Sequence, residues 1–208
     1  YSVLDLVKQY HQSVREFRDK DPAEFGLDQD EYDDILTMYE LSVVYFLKKT
    51  EKDRYLRSIS NQINREMEND GYSDSIRTDQ LTADIESTSR LDELEDPESP
   101  FEDRADTVAA TSFIGHGIDV DRFNMMLFYG YPRRTFQYIQ SSSRVGRQSG
   151  VVGFVLDIFD PLKERDDHRY RYFEKLHEYL DRTVEPVPID RWAKFGIDRT
   201  FTGIVHSL

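Results

Sequence analysis

Three short apolar runs constrain this chain more than any other feature: SVVYFL at 42–47, MMLFYGYP at 125–132 and VVGFVLDIF at 151–159. Each is continuous rather than alternating, and rich in β-branched or aromatic residues. Runs of this length and kind are strands covered on both faces, and double coverage is the mark of a parallel sheet. A fourth strand is predicted at DTVAATS, 106–112, which ends in small residues. Parallel neighbours need crossover connections, and helical periodicity fills the intervals.

The first helix is predicted over 2–18, where Val3, Leu6, Val7, Tyr10, Val14 and Phe17 recur at three- and four-residue spacings. A second covers 30–39. A third runs over 48–69, with Tyr55, Leu56, Ile59 and Ile63 inward and Gly71 as its stop. The stretch 79–106 is acidic, carries Pro97 and Pro100, and reads as a surface loop with a short helical piece near 86–95. A helix starts near 135, a long charged one spans 163–182, and a last one begins about 189, with Trp192 packing it onto the domain. The expected fold class is α/β, a parallel sheet with helices on both faces and helical extensions at both ends. The predicted division is a helical extension at 1–40, the sheet domain at 41–162 and a second helical extension at 163–208.

Charge adds a second constraint. The chain carries 41 acidic and 27 basic residues, a formal net charge of −14. The acids are scattered and Lys is scarce beside Arg and Asp. That pattern favours a protein from a high-salt cytoplasm, where salt screens the repulsion, over a mimic of nucleic acid. There is no Cys, which excludes disulfides, thiolate metal sites and a Cys nucleophile. No apolar run reaches the length of a membrane span. Tyr1 stands where an initiating Met would, and the chain reads as a piece of a longer cytoplasmic protein.

Against this acidic background, 122–156 contains no Asp, Glu or Lys but five arginines: Arg122, Arg133, Arg134, Arg144 and Arg147. A positive field inside an acidic protein points to an anion. In open parallel sheets ligands sit beyond the carboxyl ends of strands. The positions to inspect are therefore Lys48 and Lys49, then 111–119, 131–134 and 157–160. ATSFIGHGIDV (110–120) follows a strand with Gly115 and Gly117 in its turn; QSSSRVGR (140–147) follows the next. A GxG after a strand is often a plain turn, and Arg-x-x-Arg is often a solvated helix face. Their order and spacing together are far more specific. His116, His168 and His177 have no companion ligands in sequence, and no metal site is assigned.

That order resembles the second RecA-like domain of superfamily 2 helicases, over about 42–159. ATSFIGHGIDV looks like the family's motif V, ATxxxxxGxD, and QSSSRVGR like its motif VI, QxxGRxGR. SVVYFLKK sits where motif IV would, and IRTDQLTAD with Arg90 is placed like the family's short strand and LxGD…R region. Ser143 replaces the first glycine of motif VI, and Ser141 and Ser142 replace residues that are often basic. With its flanking helices, YPRRTFQYIQSSSRVGR further resembles large prokaryotic helicases of DISARM-type defence systems.

The resemblance implies an ATP site shared between two lobes. Arg144 and Arg147 would be arginine fingers, and Gln140, Gly117 and Asp119 would serve the nucleotide. Thr111 and Lys48 would meet the backbone of DNA or RNA. ATP with Mg2+ would be held mainly by an N-terminal RecA-like partner lobe, whose GxxxxGK[ST] loop and acidic box are absent from these residues. The chain alone is then expected not to hydrolyse ATP. Both arginines are expected at the carboxyl edge of the sheet, pairing with a carboxylate such as Asp119 or Asp157 in the absence of phosphate. The rival reading is a degenerate lobe kept for docking protein or nucleic acid, and the intact arginine pair argues against it.

Overall fold

A computed structural model describes residues 2–81, 94, 104–111 and 120–184. The sheet has five strands: β1 (Ser42–Phe46), β2 (Thr78–Leu81), β3 (Thr107–Ala110), β4 (Met125–Tyr129) and β5 (Phe154–Ile158). Their order is β2-β3-β1-β4-β5 and every pairing is parallel. The α/β parallel architecture expected from the apolar runs is the one observed, a RecA-like sheet.

β1 sits at the centre because both its faces are apolar. Val43 and Tyr45 enter one core with Val108, Met126, Phe128 and Tyr138. Val44 and Phe46 enter the other with Val3, Val7, Tyr55, Ile59 and Leu127. Each fully buried side chain of this size contributes about 1.5–3 kcal/mol.

The N-terminal helix α1 (Val3–Arg18) belongs to the second core. It starts on a capping box, with Ser2 and Asp5 exchanging hydrogen bonds, and it buries Val3, Val7, His11 and Arg15 along one stripe. The last two are polar and are partnered at the amino edge of the sheet, though His11 Nδ1 and Arg15 Nε stay buried without a hydrogen bond among the described residues. His11 Nε2 lies 3.0 Å from Ser42 Oγ. Arg15 reaches Asp106 at 3.5 Å, and Asp106 also takes Arg77 at 2.9 Å. Helix α2 (Gln29–Tyr39) follows, again opened by a capping box, formed by Asp28 and Glu31.

The segment expected as one helix over 48–69 is helical with a widened middle. It runs as α3 (Lys49–Ser58), a π turn at Ile59–Ile63, and α4 (Asn64–Asn69). The buried residues explain the widening. Tyr55, Ile59, Ile63 and Met67 are four apart, and at 3.6 residues per turn such a row drifts about 40° per step. The π turn, which closes a longer ring, brings the row back over the sheet.

Residues 78–81 form a short strand within IRTDQLTAD, where the resemblance placed one; only Leu81 of TDQL is buried, so no apolar run announces it. Two expectations need correction. β5 is not buried on both faces. It lies at the edge of the sheet, and Phe154 and Leu156 remain 51% and 44% exposed. The helix over 163–182 is broken into α6 (Glu164–Arg171), α7 (Phe173–Glu178) and a 3-10 turn at Leu180–Arg182. The break at Tyr172, which leaves helical geometry, lets Phe173 meet Phe159 edge-on and brings His177 to Tyr138. The helical piece near 86–95, apart from Leu94, and the segment from 189 with Trp192 fall outside the described residues.

Candidate nucleotide and nucleic-acid surfaces

Helix α5 (Thr135–Ser142) descends from the carboxyl end of β4 and delivers the QSSSRVGR stretch to the other end of the sheet. The turn that follows is held against the start of β4. Gly146 N–H donates to Phe123 O at 3.0 Å, and Phe154 N–H donates to Asn124 O at 2.8 Å. Arg144 and Arg147 therefore sit beside the amino ends of β4 and β5, not at the carboxyl edge expected from sequence. The reason is geometric: a crossover helix must return the chain to the end at which the next parallel strand begins.

Gly146 makes this turn possible. Its φ is +67°, a left-handed value that disfavours side chains. Its backbone also lies against that of Gly153, so that a Cβ on Gly146 would stand 2.5 Å from Gly153 N. Gly153 is a contributor that the sequence reading did not select. Its signal was a glycine at the start of an otherwise apolar strand, which often marks close backbone approach.

The two arginines differ. Arg147 is exposed, whereas Arg144 is half-buried. Arg144 Nε is shielded from solvent with no hydrogen-bond partner among the described residues. Two arginines on one tight turn, one half-buried and one exposed, are a donor set that fits phosphate oxygens. Gln140 is exposed on α5, one turn before Arg144. Asp157 does not serve as the expected stand-in anion: its Oδ2 accepts from Tyr138 at 2.9 Å. Burial raises the Asp157 carboxyl above the usual range, a shift that the Tyr138 hydroxyl and His177 partly offset.

Lys48 and Thr111 occupy the opposite edge. Lys48 is exposed at the end of β1 and opens α3. Thr111 is half-buried at the end of β3, its N–H donating to Leu81 O at 3.4 Å. β1 and β3 are neighbours in register, Tyr45 beside Ala110, so these two residues share one edge. Gly117, Asp119 and His116 lie outside the described residues. Among the described residues no group of three or more His, Asp or Glu is placed to hold a metal ion, and no helix is long and apolar enough to cross a membrane.

The remaining arginines of the acid-free window have separate roles. Arg122 is buried and ion-paired to Glu40, which also takes Arg104 at 2.7 Å. Arg133 and Arg134 are exposed at the start of α5.

Residues 32–149 match the family model described as the helicase conserved C-terminal domain, which is more than half of the chain. The chain belongs to this family. Over 103 residues it is 39% identical to the DISARM protein DrmA of Bacillus paralicheniformis, a match covering 50% of this chain but 9% of that protein. Among solved structures it is similar to Mycobacterium smegmatis helicase Lhr bound to ssDNA and AMP-PNP. There the TM-score is 0.52 and the identity 19%, covering 77% of this chain and 19% of that one. S. cerevisiae Dbp5 bound to RNA and ADP BeF3 is similar at TM-score 0.45 and 17% identity, over 86% of this chain and 42% of that one. The chain thus spans less than half the length of each of these relatives.

Proposed function

We propose that this lobe is the second motor domain of an ATP-dependent DNA or RNA helicase or translocase. One observation carries the reading: the Arg144–Arg147 turn, locked by Gly146 on Gly153, brings one exposed and one half-buried arginine together. Arg144 and Arg147 reach across to the γ-phosphate of ATP held, with its Mg2+, on an N-terminal RecA-like lobe. Arginine suits this role because its planar fork meets phosphate oxygens bidentately and stays charged. Gln140, with Gly117 and Asp119 from outside the described residues, serves the nucleotide side. Thr111 and Lys48 hold the nucleic-acid backbone at the other edge.

The geometry supports a division of labour along the strands. The nucleic-acid and nucleotide surfaces lie one strand length apart, about 16 Å. Residues 112–119 join Thr111 at the end of β3 to Val120 just before β4, so motif V links the two surfaces. In this reading the lobe alone turns over no ATP. The division at 40 and 162 marks helical additions around the motor core, and the likeness to DrmA supports a place in a large DISARM-type helicase.

The test is steady-state ATP hydrolysis by the full-length protein with nucleic acid present. Arg147→Ala should lower kcat by on the order of 10²-fold while KM for ATP changes much less, because a finger acts on transition-state charge. Arg147→Lys should restore little. Arg134→Ala should leave turnover near normal. Intact turnover in Arg147→Ala would overturn the assignment.

A further inference from the structure

A cleft of about 560 Å³ opens at the carboxyl ends of β1 and β4, apart from both the Arg144–Arg147 turn and Thr111. Tyr45, Phe46 and Leu47 form part of its wall. Its polar lining is Lys48, Arg133, Gln137, Lys163 and Arg165, with Glu51 and Glu164 as the only acids. The lining holds four cations and two carboxylates; Asp160 and Asp166 stand behind Lys163 and Arg165, so the cations left to meet a ligand are Lys48 and Arg133.

These cations are not a run in the sequence. Lys48 follows β1, Arg133 follows β4, and Lys163 and Arg165 follow β5, so the parallel order of three neighbouring strands gathers them. Two are fixed in place. Lys163 sits 5.4 Å above the Tyr129 ring and 3.5 Å from both Glu51 and Asp160. Burial lowers the Lys163 pKa, but Glu51 and Asp160 outweigh it, and the ammonium ends above the ordinary lysine value. Arg165 is oriented at 3.2 Å by Asp166, which is fully buried. The other two, Lys48 and Arg133, are exposed and have no ion pair among the described residues. A cleft with two anchored and two uncommitted cations, and an amide donor between them, is built for a polyanion.

We propose that this cleft is a second phosphodiester track, carrying the backbone of a single strand from Lys48 past Arg133 to Lys163 and Arg165 at the β5 side. It rests on the reading of Lys48 and Thr111 as the nucleic-acid edge, and extends it to strand ends outside the helicase motifs. Continuity with Lys48 favours nucleic acid over an acidic peptide.

The experiment is binding of fluorescein-labelled dT20 and rU20 by the full-length protein, by anisotropy across a salt series. Arg133→Gln, Arg133→Gln with Lys163→Gln, Lys48→Gln and Lys20→Gln are compared. Each lost phosphate contact lowers the slope of log K against log salt by about 0.7 for a single strand. Arg133→Gln should lower it by about 0.7 and the double variant by about 1.4, with affinity falling about tenfold in the latter. Lys20, beyond α1 at the far edge, should change nothing. Whichever strand shows the larger loss identifies the nucleic acid that uses the track. Unchanged slopes in both Arg133 variants, with Lys48→Gln still weakened, would overturn the track and leave the nucleic-acid edge standing. Unchanged binding in all three would overturn the edge itself. Arg133→Gln is the decisive variant, because it disturbs no ion pair and its loss cannot reflect misfolding of the Lys163 cluster.

Discussion

Gly146 and Gly153 touch backbone to backbone: a Cβ on Gly153 would stand 2.8 Å from Gly146 N, and one on Gly146 would stand 2.5 Å from Gly153 N. The contact clamps the arginine-bearing turn to the start of β5. Gly146→Ala adds a left-handed strain of about 1 kcal/mol to this clash. Gly153→Ala meets only the clash, yet the obstacle is backbone and cannot rotate away. Both variants should lower the urea midpoint, Gly146→Ala more. If the proposed motor role holds, both should also lower kcat for ATP in the full-length protein beyond what the lost stability explains. Equal activity per folded molecule would show that the clamp serves stability alone.

The ion pair of Arg122 with Glu40 yields a second prediction. Both groups are buried, and Arg122 also donates to Leu94 O at 3.0 Å. Arg122→Met leaves Glu40 in the core with Arg104 as its remaining partner. Removing one member of a buried pair costs about 3 kcal/mol, and chemical unfolding should show a loss of that order. Glu40→Met in the same background should recover part of it, since the more deeply buried charge is then gone and only Arg104, the more exposed partner, loses its carboxylate. A variant as stable as wild type would mean that Arg104 alone satisfies Glu40.

Arg122 also shows where sequence reasoning stops. It shares the acid-free window with Arg144 and Arg147, and nothing local tells a structural arginine from a functional one. The discriminator, Glu40, lies 82 residues away in sequence. β1 and β4 were legible because both faces of each are apolar. β2 was illegible from its residues because a four-residue edge strand with one buried side chain leaves no pattern. β5 was legible as a strand but not as an edge, because apolar runs do not record what covers them. The arginine motif was legible in order and spacing. Its edge of the sheet was misjudged because the helix that carries it reverses direction, which spacing alone does not convey.

The acidic surface suggests adaptation to concentrated salt. Asp30, Glu31, Asp33 and Asp34 crowd the exposed face of α2, and Asp19, Asp21, Glu24 and Asp28 precede it. Repulsion among exposed carboxylates is screened strongly at molar ionic strength, where the Debye length shrinks to about 3 Å. Melting temperature should therefore rise as KCl increases into the molar range. A flat or falling curve would return the acid excess to the status of a repelling surface.

His11 makes stability depend on pH in a definite direction. Burial, aided by Arg15 and Arg77 and only partly opposed by Asp106, pushes its pKa down to about 4. Its Nε2 faces Ser42 Oγ, and its Nδ1 is buried without a hydrogen-bond partner among the described residues. Protonation would thus place a new cation, with a donor that has no acceptor, beside two arginines. The unfolded chain takes this proton below about pH 6.5, whereas the folded chain resists until about pH 4. Between those values the unfolded state binds more protons, so stability rises with pH. The contribution is complete above pH 6.5 and is lost progressively toward pH 4, an effect of about 3 kcal/mol. Other groups titrate in this range, so the difference from His11→Gln is the informative quantity. The urea midpoint of wild type should fall more steeply from pH 7 to pH 4.5 than that of the variant. Parallel curves would mean that His11 is protonated in the folded state, and that the junction of α1 with Ser42 and Asp106 tolerates a third cation.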